Sequence, residues 1–149
     1  MKKLFLTFPL LFCIALITGC GPKRPEGLPN LVSCVLTIQF EDGSPVDNAT
    51  VSLAPEDESL RQWSISGSTD ASGTAKIYTN SEFAGVPAGK YKVAVRKVEV
   101  IPTNKKDEYD EPITDTRSLI AEKFTNPGQT PLILEVGGSP VNETYKVEK

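Results

Sequence analysis

The chain has 149 residues, a formal net charge of −3 and no histidine. That length suits a single domain, and the missing imidazole removes the commonest general base, the commonest transition-metal ligand and the usual catalytic triads. The acidic balance also argues against nucleic acid as a partner, since that partnership usually requires a basic patch.

The chain opens MKKLFLTFPLLFCIALITGC. Lys2 and Lys3 are followed by an uncharged apolar run over 4–17 and then by small residues. This is the three-part layout of a secretory signal peptide. The run is shorter than the roughly 20 residues needed to span a bilayer. The segment Ile17-Thr18-Gly19-Cys20 resembles the lipobox of bacterial lipoproteins. The resemblance implies cleavage before Cys20, a thioether-linked diacylglyceryl group on its sulfur and acylation of the new amine. One acyl chain anchors only marginally, at about 0.8 kcal/mol per buried methylene, and two or three make the attachment effectively permanent. Gly21 stands where an aspartate would favour inner-membrane retention, so the same resemblance points to the outer membrane. Loss of Lys2 and Lys3 with the leader takes the net charge to about −5, which offers no polybasic attraction to anionic lipid.

Three cysteines are present. Cys13 leaves with the leader and Cys20 is lipidated, so Cys34 is left alone and no intrachain disulfide is expected. Its parity with Leu36 and Ile38 marks it as a small buried side chain rather than a reactive thiol. Residues 20–31, with three prolines and two glycines after Cys20, read as a tether of roughly 30 Å. The domain is then expected over 32–149.

Strand signals with a period of two follow, separated by turn signals. Cys34, Leu36, Ile38 and Phe40 share one parity, and Glu41-Asp42-Gly43-Ser44-Pro45 is a turn by composition. Ala49, Val51 and Leu53 alternate with polar residues; Trp63 and Ile65 mark a third strand, with Trp63 expected in the core. Residues 74–79 read as one strand with Ala75 and Ile77 pointing one way. Tyr91, Val93 and Val95 alternate with Lys90, Lys92, Ala94 and Arg96, and Val98 and Val100 break that parity, which predicts a bulge or strand exit near Lys97. Leu132, Leu134 and Val136 form a late strand, and Tyr145 and Val147 close the chain. Residues 102–131, charged and proline-interrupted, read as a long loop of the kind that is often functional or mobile. About seven short strands at this spacing predict an all-β antiparallel sandwich.

In order and spacing these segments resemble carboxypeptidase-regulatory-like domains, which have a transthyretin-like sandwich. Gly67-Ser68-Thr69-Asp70-Ala71-Ser72-Gly73-Thr74-Ala75 is similar to their T-D-x-x-G turn, and Val86-Pro87-Ala88-Gly89-Lys90-Tyr91-Lys92-Val93-Ala94-Val95 to their P-x-G-x-Y-x-V-x-V strand. The first hairpin is similar too, with Asn48 where the family usually has glycine. A late segment, Lys123-Phe124-Thr125-Asn126-Pro127-Gly128-Gln129-Thr130-Pro131-Leu132, resembles one in small bacterial lipoproteins built on this domain, which more often have tyrosine at Phe124. The resemblance implies a fold and a location, and no reaction or cofactor. Asp70, Gly73, Pro87, Gly89 and Tyr91 are expected to serve turns and core.

No catalytic or metal-binding set stands out. Asp107-Glu108-Tyr109-Asp110-Glu111 lacks the alternating spacing and central glycine of a calcium loop, and Glu56-Asp57-Glu58 is read the same way, as solvated. Lys90, Lys92 and Arg96 form an outward basic row that can pair with the next strand or meet an acidic partner. The expected function is a lipid-anchored, non-enzymatic envelope module that binds or scaffolds. Its partners are the membrane, through the anchor, and an envelope protein or glycan. The alternatives are a carbohydrate-binding or calcium-dependent adhesion module, in which Trp63 stacks on a sugar, and, further off, a hydrolase using carboxylates.

Overall fold

The period-two segments become strands in a computed structural model that describes residues 23–149. The leader over 1–19 with Cys13, the lipobox residues Ile17, Thr18 and Gly19, and Cys20 lie outside the described residues. In chain order the strands are β1 (Leu31–Val32), β2 (Cys34–Phe40), β3 (Thr50–Pro55), β4 (Ile65–Ser68), β5 (Thr74–Lys76), β6 (Tyr78–Thr79), β7 (Phe83–Ala84), β8 (Val86–Pro87), β9 (Gly89–Arg96), β10 (Val98–Lys106), β11 (Pro112–Ser118), β12 (Ile133–Val136) and β13 (Val141–Val147). A single 3-10 turn, Glu58–Leu60, precedes β4, and one short helix, α1 (Glu122–Thr125), precedes β12.

The fold is an all-β sandwich. One sheet has six strands in the order β12-β9-β3-β4-β6-β7, and the other has three in the order β13-β2-β5. β1 pairs with β8, and β10 with β11, as separate two-stranded ribbons. Leu36 and Ile38 of β2, Ala75 of β5 and Val147 of β13 meet Val51, Leu53, Tyr91, Val93, Val95 and Leu134 of the larger sheet in one buried cluster. Burial of each large side chain there contributes about 1.5–3 kcal/mol. Tyr145 Oη donates to the Ile133 carbonyl at 2.8 Å, tying β13 of one sheet to β12 of the other.

Several expectations are corrected. The segment 74–79 is not one strand of one sheet. β5 pairs with β2 in the smaller sheet, β6 pairs with β4 in the larger, and the chain crosses at buried Ile77, whose N–H bonds the Cys34 carbonyl at 3.0 Å. Such sheet-switching strands form the corners of sandwiches. The final strand is parallel to β2, with Val141 opposite Cys34 and Val147 opposite Phe40, where antiparallel pairing was expected. Such a pair needs a long crossover, and the chain between β2 and β13 supplies it. Short two-residue strands raise the count above the seven expected. Trp63 stands outside any strand, in the turn after Leu60, with its N–H on the Leu60 carbonyl at 3.0 Å; the third strand begins at Ile65.

The end of the 20–31 segment belongs to the sandwich. Leu28 is buried, Leu31 sits opposite Pro87, and Arg24 donates to the carbonyls of Leu28 at 3.1 Å and Pro29 at 2.6 Å. Residues 102–131 are not a loop. They hold most of a long hairpin, β10–β11, then α1 and a tight turn. β9 ends at Arg96 and β10 begins at Val98, so the parity break marks where the chain leaves the sandwich.

Candidate binding surface

The motif residues lie in two turns at separate places in the fold. Asp70 Oδ1 accepts from Ser72 N–H (2.8 Å), Ser72 Oγ (2.6 Å) and Thr74 N–H (3.0 Å). The Ser72 side chain, then the two backbone amides, hold this carboxyl below its ordinary range. Gly73 has φ +78°, and a Cβ there would come 2.4 Å from the Ile38 carbonyl oxygen. Only a glycine therefore lets this turn lie against β2. In the second turn, buried Pro87 presents its carbonyl to Tyr91 Oη at 2.7 Å. Tyr91 is fully buried, and desolvation, with smaller contributions from Cys34 and Asp57, pushes its phenol up to about 12. Gly89 opens β9 with φ +157°, and a Cβ there would come 3.2 Å from Leu60 Cδ1. Asn48 has φ +49°, a left-handed conformation that asparagine tolerates better than most residues.

Three buried threonines escaped the sequence reading, and Thr79 Oγ1 donates to the Gly85 carbonyl at 2.8 Å. Thr69 Oγ1 accepts the Ala49 N–H at 2.8 Å. Thr130 Oγ1 donates to the Val93 carbonyl at 2.8 Å and accepts from Leu132 N–H at 3.2 Å. The late segment is thus a clasp: Asn126 turns the chain by accepting from Gly128, Gln129 and Thr130, and Thr130 fastens it to β9. The signal was the position of each threonine beside a turn motif, where its hydroxyl can replace a ladder bond.

The charged clusters are engaged in local structure. Asp107 Oδ1 accepts the N–H groups of Tyr109 and Glu111 at 2.9 Å each, closing the β10–β11 turn, and Asp110 pairs with Lys106 at 2.7 Å. Asp57 caps the 3-10 turn through the Ser59 N–H at 2.8 Å. Among the described residues no three metal-ligating side chains converge. Lys90 pairs with Glu135 on β12 at 3.7 Å, whereas Lys92 and Arg96 have no ion pair among the described residues. Cys34 is 2% exposed, and burial, then Glu143, push its thiol up to about 11. It is protonated at neutral pH and a poor nucleophile.

The remaining candidate is the outward face of the six-stranded sheet. Register places Ser66, Ser52 and Ala94 side by side across β4, β3 and β9, and Ser68, Thr50 and Arg96 in the next row. The short side chains of Thr50, Ser52, Ser66 and Ala94 floor two adjoining depressions of about 440 and 370 Å³ that share Thr50 and Ser52. Arg61 and Trp63 wall one side; Thr125 and Pro127 wall the other. The Trp63 Nε1 is buried and has no hydrogen-bond partner, and a buried unmet donor costs about 1–3 kcal/mol. No carboxylate lines either depression. A face of hydroxyls, two guanidinium groups and one indole can hold an extended polar ligand by hydrogen bonds and stacking.

Fold and surface together define an all-β sandwich domain with an open, hydroxyl-floored groove. No family model matches the chain, and no curated protein matches it. Among solved structures, a 9R-lipoxygenase from Cyanothece PCC8801 overlaps 85% of this chain at 18% identity with a TM-score of 0.39. The overlap covers 18% of the lipoxygenase chain, and so slight a likeness carries no argument.

Proposed function

We propose that this chain is a lipid-anchored, non-enzymatic module of a bacterial cell envelope that works by binding or scaffolding. One observation carries the reading: the lipobox-like Ile17-Thr18-Gly19-Cys20 stands eight residues ahead of Leu28, the first buried residue of the sandwich. At about 3.3 Å per extended residue, acyl chains on Cys20 would hold the domain within roughly 26 Å of the bilayer. The similarity to carboxypeptidase-regulatory-like domains supports the same reading, because Asp70, Gly73, Pro87 and Tyr91 are all occupied in shaping turns and core. The lack of histidine and the protonated, buried Cys34 favour a binding role over a catalytic one. Cys20→Ser is expected to abolish membrane association, and the mature N-terminus is expected to carry a thioether-linked lipid by mass spectrometry. An unmodified thiol, or a variant that still partitions with membranes, overturns the reading.

The groove favours a glycan as the ligand, through the half-buried Trp63 ring and the neighbouring Arg61 in its lining. Titration of a glycan panel with and without calcium tests this. Binding that needs Arg61 and Trp63 but no calcium supports it. A panel without binders removes it and leaves the anchored scaffold standing.

A further inference from the structure

Among the described residues the β10–β11 hairpin pairs with no other strand, and every residue of β11 is exposed. A lone two-stranded ribbon is marginal in water and gains from a third or fourth strand. Its two edges differ. The Leu119 N–H bonds the Lys97 carbonyl at 2.9 Å, which makes Lys97 and Leu119 a bonded pair. Bonded and non-bonded pairs alternate along an antiparallel ladder. The pairs Val98–Ser118, Val100–Thr116 and Pro102–Thr114 are therefore non-bonded, and their backbone groups face outward. Pro102 thereby puts a missing N–H on the outer edge of β10, which blocks that edge. On β11, Thr114, Thr116 and Ser118 turn N–H and C=O groups to an edge that carries no proline from Ile113 to Ser118.

We infer that this edge of β11 is a self-association site, at which two copies of the chain join as antiparallel strands about a two-fold axis at Thr116. Charge selects the register. With Thr116 opposite its own counterpart, Asp115 of each copy falls opposite Arg117 of the other, twice over. Moving the axis to Asp115 or to Arg117 sets like charges against each other, which is destabilising. Moving it to Thr114 brings Pro112, which has no N–H, against Thr116. Asp115 has no ion pair among the described residues, while Arg117 holds Glu99 at 2.6 Å and keeps further guanidinium donors for a second carboxylate. The product is a four-stranded sheet, β10–β11–β11–β10. Both of its outer edges are guarded by Pro102, so the assembly closes at two copies.

The test is disulfide capture in the full-length chain, with the parent and its native cysteines as the baseline. A bonded antiparallel pair has Cα atoms about 5.5 Å apart, within disulfide range. Thr116→Cys is therefore expected to give a covalent dimer under mild oxidation. Thr114→Cys, roughly 14 Å from its counterpart in this register, is expected to give none. Asp115→Arg is expected to weaken dimerisation about tenfold in sedimentation experiments, as two attractive pairs become two repulsive ones. All three substitutions fall on exposed residues of the ribbon, so folding of the sandwich is not at risk. A chain that sediments as a monomer at every concentration, equal capture at positions 114 and 116, or an Asp115→Arg chain that dimerises as tightly as the parent overturns the inference.

Discussion

β9 and β10 are consecutive strands separated by one residue, and their fates are opposite. Both pair antiparallel with a neighbour, but β9 alternates in side-chain type along its length and β10 only over Val98-Glu99-Val100. In β9, Tyr91, Val93 and Val95 are fully buried, and outward-facing Ala94 is nearly so beside Thr125 and Pro127. In β10, Val98 is 51% and Val100 is 58% exposed. The difference lies in what faces each strand. β9 has a second sheet across the core, and β10 has no layer against either side among the described residues. Alternation specifies a strand; whether that strand is buried depends on a partner layer, which can lie far away in sequence or on another molecule. Lys97 stands at the boundary, its Nζ held by Asp47 Oδ1 at 2.7 Å and by the Asp47 carbonyl at 2.8 Å.

The sharpest way to break this contrast is to cut the same kind of side chain in both regions. Ile38→Ala in the core is expected to cost about 2–5 kcal/mol in urea denaturation, and Val100→Ala on the arm less than about 0.5 kcal/mol. Comparable losses would make the arm part of the cooperative core. Gly73→Ala comes next. It forces an alanine to φ +78° and drives a Cβ towards the Ile38 carbonyl, so a loss above about 1 kcal/mol is expected. An unchanged midpoint would mean that the turn and β2 can separate freely.

Excision of the arm is expected to do less. Replacing residues 98–118 by Asn-Gly leaves Lys97 and Leu119 as the flanks of a two-residue turn, closed by the bond already present between them. The sandwich should keep its stability to within about 1 kcal/mol, since no arm residue from Val98 to Ser118 joins the buried cluster. A larger fall would show that the arm supports the body it leaves.

What the sequence disclosed follows the same division. The core strands were legible because Leu36, Ile38, Val51, Val93 and Leu134 each sit in an alternating run with one face inside. The arm was not, because neither of its faces is buried and Pro102, Pro112 and mixed charge gave it the composition of a loop. The sheet switch was hidden for a different reason. Ala75, Ile77 and Thr79 all point into the same core from either side of the crossing, so their parity runs on unbroken. The parallel pairing of β13 is a property of chain path, to which no local pattern responds. The candidate groove was legible only in Trp63, weighed as a sugar-stacking residue, and in Arg96 of the outward basic row. Its floor of Ser52, Ser66 and Ala94 comes from three strands whose register alone brings them together.

The smallest effect concerns the joint between the two regions. Asp47 is held below the ordinary carboxylate range, first by the hydrogen bond from Lys97 and then by that from Asn48. A depressed folded value means that its contribution to stability is present above the unfolded value, near 3.8, and is lost as pH falls through the folded one. The carboxylate is open to solvent, so global stability should hardly respond. Protonation of Asp47 removes the charge that holds Lys97 where β9 passes into the arm, and the response is expected there. In amide exchange, the Leu119 N–H on the Lys97 carbonyl should lose protection relative to Val93 N–H on the Leu132 carbonyl as pH drops below about 4. Taking the ratio of the two amides in one sample removes the intrinsic pH dependence of exchange. Asp47→Asn should abolish the step and leave Leu119 at its acid-side level throughout. If the step survives that substitution, another group fastens the arm, and Lys97 merely lies beside it.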